Sequence, residues 1–422
     1  MREVNVVALS RLPFVSVEVG TLPTKFHEAA KRVKEIDIPK LEAESGLVIK
    51  AEYPPNKSLY SGISAHDLAL AALKELFRNF NIDPERVEEF ILGSVISHKI
   101  DENAIHAFAK VIALRAGMKN ASALTLDKAC SSALMAIGLA YDAVRHGDAE
   151  FVIAGGVEKM DDVPDRLVRF GLTNPFDGRL MAALADEIAV EHGLTREELD
   201  DYAFDSCQRA ASWQGRHRCV APVKINDNLV VALDDKIERR AVPRKVFAKS
   251  VRYPQYAERE DSPKCEMVTP LNSAQYACGG GFVALASNKF AKEHGLVSLA
   301  KIRVFAKTSG ATPKNFILKP EEVIQECLDA ENLDWENIGH FEDNEAFAVG
   351  NVLLMKLHGV ERERMNRRGG AISHGHSIGG TTGTLSVKAI DIMQTDGLQY
   401  GIVTACNAVD EAPAMLLENP NV

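Results

Sequence analysis

Two stretches of the 422-residue chain run through the same succession of elements. LTLDKACSSALMAIGLAYDAVRHGDAEFVIAGGVEKM (124–160) reads as strand, small-residue turn, helix, glycine turn, strand and small-residue loop. AISHGHSIGGTTGTLSVKAIDIMQTDGLQYGIVTACNAVDEAPAM (371–415) follows the same order. In this register Cys130 and His376 fall on corresponding turns at helix N-termini, and Gly155-Gly156 and Cys406 on corresponding strand ends. Such a repeat constrains the fold more than any single motif does. It predicts a duplicated α/β unit packed about a pseudo-twofold axis, with turns from both halves converging on one pocket at the C-terminal strand ends.

The remaining segments fit that frame. VNVVAL (4–9) reads as a buried strand. SAHDLALAALKELFRNF (64–80) reads as a helix that Ser64 can N-cap, with Leu68, Ala71, Leu73 and Leu76 on its apolar face. Residues 88–96 form a strand, 102–116 a helix and 151–156 a strand. Strands are expected again at 279–287 and 301–309, with a strand-like run over 338–350 and a helix after it. Alternating strands and helices imply a mainly parallel sheet covered by helices. Residues 157–261 differ: they carry more charge and fewer strands, and include a helix at 194–213 with a capping box from Thr195 to Glu198. The chain therefore divides into an N-terminal half (1–156, with a charge-rich surface insertion over 23–57), an inserted loop domain (157–261) and a C-terminal half (262–422).

Charge and composition exclude several functions. The net charge of −10 argues against a nucleic-acid or anionic-membrane surface. No apolar run approaches ~20 residues, so no membrane span is expected. VNVVAL follows the first residues at once, without a signal-peptide or transit-peptide pattern, so a cytoplasmic protein is expected. The seven cysteines include no C-x-x-C pair, which fits reduced thiols rather than disulfides or zinc. His374 and His376 stand at i, i+2 without a third ligand, so no metal site is expected. Arg166, Arg169, Arg179, Arg216, Arg218, Arg244 and Lys249 of the loop domain read mostly as a solvated face, with two or three available to phosphates of a ligand.

Cys130 lies where a strand turns into a helix. Free N–H groups and the helix dipole favour an anion there, which predicts a lowered thiol pKa. A lone cysteine is ordinarily a small buried hydrophobe, so its partners decide. Thioester exchange needs a thiol nucleophile, a base and donors for an oxyanion. Cys130 supplies the nucleophile and His376 a base. Cys406 is a second thiol suited to removing a proton next to a carbonyl, and Asn344 can orient a water or donate to an oxyanion. Gly369, Gly370, Gly375, Gly379, Gly380 and Gly383 let a backbone approach a ligand closely.

These residues sit in RLPF (11–14), DKACSSAL (127–134), AGGVEKM (154–160), GLTNPFDG (171–178), VTPLNSA (268–274), EDNEAFA (342–348), GGAISHGHSIGGTTG (369–383) and TACNA (404–408). In that order, over nearly the whole chain outside 23–57, they resemble the thiolase family. The resemblance implies a five-layered αβαβα core from two duplicated halves, and an acyltransferase that makes or cleaves a 3-ketoacyl-CoA through an acyl-cysteine intermediate. Cys130 would be the acylated nucleophile and Cys406 the acid/base for the α-carbon. His376, with a water held by Asn344, would form one oxyanion hole, and the N–H groups of Cys130 and Ala408 a second. Gly375 is expected at the backbone of the site, and Ser273, Met160 and Phe347 against the substrate. The loop domain would bind coenzyme A, which is a substrate; no cofactor is implied. Partners would be acyl-CoA and CoA, together with a second copy of the chain in a homodimer or homotetramer, or a partner subunit. The sequence departs from the family at Ser377, where proline usually follows the histidine, and at Asn407–Asp410, where a glycine-rich tail usually follows the second cysteine. Two other readings are a thiolase-like ketoacyl synthase and a weakly active CoA-binding subunit of a complex. NEAFA with a second cysteine argues against the synthase.

Overall fold

The computed structural model describes residues 1–17, 58–100, 106–161, 163, 171–257 and 262–422. The 23–57 insertion, Arg166 and Arg169 lie outside the described residues.

In chain order the strands are β1 (Val4–Arg11), β2 (Val15–Ser16), β3 (Glu89–Gly93), β4 (Ser122–Leu126), β5 (Phe151–Glu158), β6 (Val223–Asn226), β7 (Leu229–Val231), β8 (Ala277–Ser287), β9 (Ala300–Ser309), β10 (His340–Asp343), β11 (Tyr400–Thr404) and β12 (Glu411–Glu418). The helices that matter for the site are α1 (Ala65–Asn79), α2 (Phe108–Arg115), α3 (Ser132–His146), α4 (Met181–Glu191), α5 (Arg196–Trp213), α6 (Lys319–Glu331), α7 (Ala348–His358) and α8 (Thr381–Asp396). Local sequence sets several of their ends. Ser64 accepts the Asp67 N–H at the start of α1. Thr195 and Glu198 close the capping box of α5, satisfying two otherwise orphaned donors. The run over 338–350 is a strand only as far as Asp343; α7 starts at Ala348, so the NEAFA residues form the turn between them.

Sheet topology makes the duplication visible. In the first half the order is β4-β3-β5-β8-β1, with β4, β3 and β5 parallel and β8 and β1 successively antiparallel. In the second it is β10-β11-β12-β9, again parallel and then twice antiparallel. A parallel bridge from Phe341 to Met365 takes the place of the fifth strand. The halves join through β1 and β9, antiparallel, with Val4 opposite Ile302. One expected boundary moves as a result. β8 completes the N-terminal sheet rather than opening the C-terminal half, because the loop domain is inserted between the fourth and fifth strands of the first unit. The second unit begins at Ala300.

Burial gives the layers. α3 and α8 lie together between the two half-sheets, and every residue from Thr381 to Met393 of α8 is buried. Leu134, Ile137 and Tyr141 of α3 meet Val4, Val6 and Leu9 of β1 and Leu385 and Ile390 of α8 in this central core. α1 and α2 cover the outer face of the first half. α6 and α7 cover the second, together with α4 and α5 of the loop segment. This is the expected αβαβα order. Close approach needs glycine at the crossings: a Cβ on Gly156 would lie 2.4 Å from the Gly379 carbonyl oxygen. The loop segment is tied down by charge. Arg11 at the end of β1 donates to both carboxylate oxygens of Asp234 at 2.8 and 2.9 Å, with both residues buried. Breaking such a buried pair from one side costs about 3–5 kcal/mol.

Candidate active site

The turns after β4, β10 and β11 and the turn before α8 lie at one end of the central helices. The first follows β4. Residues Ala129–Ser131 make a 3-10 turn that leads into α3, and Ala129 adopts φ +48°. The second precedes α8, where Ile378–Gly380 make the equivalent 3-10 turn and Ile378 adopts φ +28°. Left-handed backbone at non-glycine residues costs of order 1–3 kcal/mol and clusters at functional sites. The same strained position recurs in both halves, one residue before Cys130 and two residues after His376.

These turns bring the thiol to the imidazole. Cys130 Sγ lies 3.1 Å from His376 Nε2. His376 Nδ1 lies 2.8 Å from Thr381 Oγ1, which also accepts the Ser377 N–H at 2.8 Å. For Nε2 to take the thiol proton, Nδ1 must carry a hydrogen, and Thr381 accepts it. The turns are also bonded to each other: the Leu134 N–H near the start of α3 donates to Thr382 Oγ1 at the start of α8.

Charge states at rest differ from the sequence expectation. Burial pushes the Cys130 thiol up to about 12, against a smaller lowering from its own backbone N–H. Burial likewise pulls His376 down to about 4. The helix terminus does not hold a standing thiolate, because desolvation outweighs it. Both shifts favour the neutral thiol and the neutral imidazole.

Cys406 follows β11 and is buried. Burial holds its thiol well above the usual range, and the charges of Asp343 and Cys130 add to that. Asn344 follows β10; its N–H donates to the Thr404 carbonyl. Its side-chain amide is buried, and neither polar atom takes a hydrogen bond among the described residues. An orphaned amide of that kind is a ready donor and acceptor for a water or an oxyanion. The loop after Cys406 is clamped to the Cys130 turn. Lys128 Nζ meets Glu411 at 2.6 Å, and Asn407 Nδ2 reaches Glu411 at 3.1 Å. Asp410, at φ +64°, accepts the Thr312 N–H at 2.8 Å. The Asn407–Asp410 segment is thus a fixed turn without glycine. It brings Ala408 into the loop two residues after Cys406.

The other expected residues scatter. Gly375 adopts φ +102° and spends its N–H on the Ala371 carbonyl at 2.9 Å, so it shapes the turn and offers no free donor. Ser273 is buried and donates to the Thr269 carbonyl, while bridging to Phe347, which stays partly exposed. Met160 is buried in the outer core of the first half. His374 turns away from the site: it stacks on Phe14 at 4.6 Å, and its Nδ1 lies 3.0 Å from the Gly375 carbonyl oxygen. Arg179, Arg218 and Arg244 are paired with Asp177, Asp391 and Asp201. Arg216 lies over the Trp213 ring. No set of three His, Cys, Asp or Glu is placed to hold a metal, and no helix is long and apolar enough to cross a membrane, among the described residues.

Sequence reading missed three supporting residues. Thr381 fixes the imidazole. Glu158, buried at the end of β5, accepts N–H groups from Val95 (2.7 Å), Ile96 (3.1 Å), Ser97 (2.6 Å) and Gly379 (3.2 Å), binding the turn after β3 to the turn before α8. Glu345 accepts from Tyr202, Ser206 and the Ile372 N–H, which locks the NEAFA turn to α5. An acidic residue inside a glycine-rich strand end was the available signal for Glu158.

Comparison with known proteins identifies the family of the chain. Family models for the thiolase N-terminal domain match residues 48–168 and 161–246, and the model for the thiolase C-terminal domain matches 296–419. A probable acetyl-CoA acetyltransferase of Dictyostelium discoideum is 30% identical, over 89% of this chain and 94% of that one. An acetyl-CoA acetyltransferase of Yarrowia lipolytica is 28% identical, over 91% and 98%. Among solved structures, human mitochondrial 3-ketoacyl-CoA thiolase superposes with a TM-score of 0.81 at 23% identity, covering 99% of both chains. Acat5 thiolase from Ascaris suum in complex with coenzyme A gives 0.78 at 23% identity, covering 99% of this chain and 100% of that one.

Proposed function

The chain belongs to the thiolase family, as a thiolase-type acyltransferase, and from that premise we propose that it makes or cleaves a 3-ketoacyl-CoA with Cys130 as the acyl carrier. The observation that carries this reading is the 3.1 Å contact between Cys130 Sγ and His376 Nε2, beside a second buried thiol and an unpartnered amide. In thiolysis Cys130 attacks the 3-keto carbon as its proton passes to His376. The carbon–carbon bond breaks, and the departing carbanion takes the proton of Cys406. CoA thiol then gives its proton to the Cys406 thiolate and attacks the acyl-cysteine; the new acyl-CoA forms as the bond from the acyl carbon to Cys130 breaks, and the departing sulfur takes back the proton from His376. Condensation runs the same steps backwards. Asn344, through a water, and His376 stabilise one oxyanion; the N–H groups of Cys130 and Ala408 stabilise the other.

CoA enters over the loop domain, with Ser273 and Phe347 lining its path. The Asn407–Asp410 turn narrows the acyl end of the site and sets chain-length preference. Among the described residues β4 is the edge strand of its half, and its Leu124 is half exposed. Such an edge is a template for pairing with another strand, and we assign it to a second copy of the chain in a homodimer. A panel of 3-ketoacyl-CoA thioesters of rising chain length, assayed with CoA for loss of the ketoacyl thioester, tests the activity. Thiolysis of at least one is expected. No turnover of any, by protein that still binds CoA, would contradict the proposal.

A further inference from the structure

Asp343 has no part in the reaction just described, and it is an unusual residue for its place. It is the last residue of β10 and is buried. Side chains alternate across β10. His340 and Glu342 face the central helices, where Glu342 meets Lys388 of α8 at 2.8 Å and His340 at 2.9 Å. Asp343 therefore faces the other way with Phe341, toward the outer core that also holds Cys406. Asn351 of α7 donates to its Oδ2 at 3.0 Å. Its Oδ1 is buried and takes no hydrogen bond among the described residues. β10 and β11 are parallel, with Asp343 opposite Thr404, so the carboxyl and Cys406 two residues farther on share one sheet end.

Among the described residues Asp343 makes no ion pair; Arg362 lies by Tyr202 and acts on Glu345 instead. The ionisable groups that act on it are Glu342 and Glu345 from its own segment, Tyr202 from α5 and Cys406 from the loop after β11; α7 contributes the neutral Asn351. Burial and the two glutamates push its carboxyl well above the usual carboxylate range. Two neighbouring acids face cations: Glu342 is held low at about 2 by Lys388 and His340 on the opposite face, and Glu345 is opposed by Arg362 and Lys388.

We propose that Asp343 is a positioning residue for Cys406: a carboxyl on the same buried face whose charge decides whether Cys406 stands as thiol or thiolate. The inference rests on Cys406 being the acid/base of the acyl-transfer reaction. With Asp343 neutral, Cys406 passes freely between the two forms. With Asp343 ionised, a second anion on that face holds the proton on sulfur and stalls the half of the cycle that needs the thiolate.

Site-resolved alkylation tests this without relying on turnover. The rate of iodoacetamide labelling at Cys406 is followed by peptide mass spectrometry from pH 6 to 11 in the wild type, Asp343→Asn and Asp343→Ser. The labelling rate of Cys406 at a fixed pH below its midpoint is expected to rise about tenfold or more in either variant, equivalent to a midpoint about one pH unit lower. The pH profile of kcat should shift down with it. An unchanged Cys406 labelling rate in a folded variant would overturn the proposal. So would failure of both variants to fold, since a residue that only biases Cys406 is dispensable to the core. A shift at Cys406 in protein without thiolase activity would leave the carboxyl–thiol coupling standing and count against the proposed reaction instead.

Discussion

The turn that opens α3 and the turn that opens α8 share a left-handed first residue, a 3-10 turn and a start of small residues, yet they carry different chemistry. In the first, the middle residue of the 3-10 turn is Cys130. In the second, that position is Gly379, whose N–H goes to Glu158, and the functional group stands three residues earlier as His376. The strand ends differ in the same way. β5 ends in Glu158, an acceptor that binds turns together, whereas the loop after β11 delivers Cys406. Duplication thus supplies two matching cradles at one pole. In the proposed reaction the chemistry comes from where the copies diverged: one half would hold the nucleophile, and the other the base, the second thiol and the amide.

Removing the nucleophile tests that division most strongly. Cys130→Ala should lower acyl transfer by about 10⁴-fold or more, the scale seen when a nucleophile is deleted from a group that acts as a unit; initial rates of thiolysis check it. His376→Ala should cost about 10²–10⁴-fold, the usual worth of a positioned base, with the loss concentrated in the acylation half-reaction. Asn344→Ala should cost about 10²–10³-fold in kcat, the scale of a lost oxyanion-hole donor, while leaving labelling of Cys130 by iodoacetamide as it was. Thr381→Val strips the acceptor from His376 Nδ1. A buried donor left unpaired costs about 1–3 kcal/mol, so roughly a ten- to hundredfold loss is expected.

The smallest effect lies in stability. His374 and His376 are held neutral, with folded pKa values pulled down by burial to about 3 and about 4. An unfolded histidine titrates near 6.5. Below that pH the unfolded chain binds protons that the folded one does not, so stability present above about 6.5 is lost as pH falls toward 4. Denaturant melts at pH 7, 6 and 5 should show the midpoint falling, with a shallower fall in His374→Phe.

Much of this was legible in the sequence. The repeat announced two like units, and the order of short motifs brought Cys130, His376, Cys406 and Asn344 together. What stayed hidden depends on distant partners. Glu158 reads as one charge after a glycine pair; that it gathers four N–H groups depends on β3 and α8 arriving beside it. The place of β8 was hidden because an insertion separates it from its sheet neighbours in sequence. The thiol pKa went the wrong way because a helix terminus can be seen in a sequence, whereas the depth of burial around Cys130 cannot. Gly375 read only as backbone of the site; that its N–H closes a local turn on the Ala371 carbonyl depends on the fold.

Acylation of the enzyme alone tests the central claim most directly. The wild type and Cys130→Ala, Cys406→Ala and His376→Ala variants are incubated with acetyl-CoA, quenched in acid and digested, and the acetyl group is located by mass spectrometry. An acetyl thioester is expected on Cys130 in the wild type and in Cys406→Ala, a much slower appearance in His376→Ala, and none in Cys130→Ala. An acetyl group on Cys406 with Cys130 unmodified, or labelling that persists in Cys130→Ala, would contradict the claim.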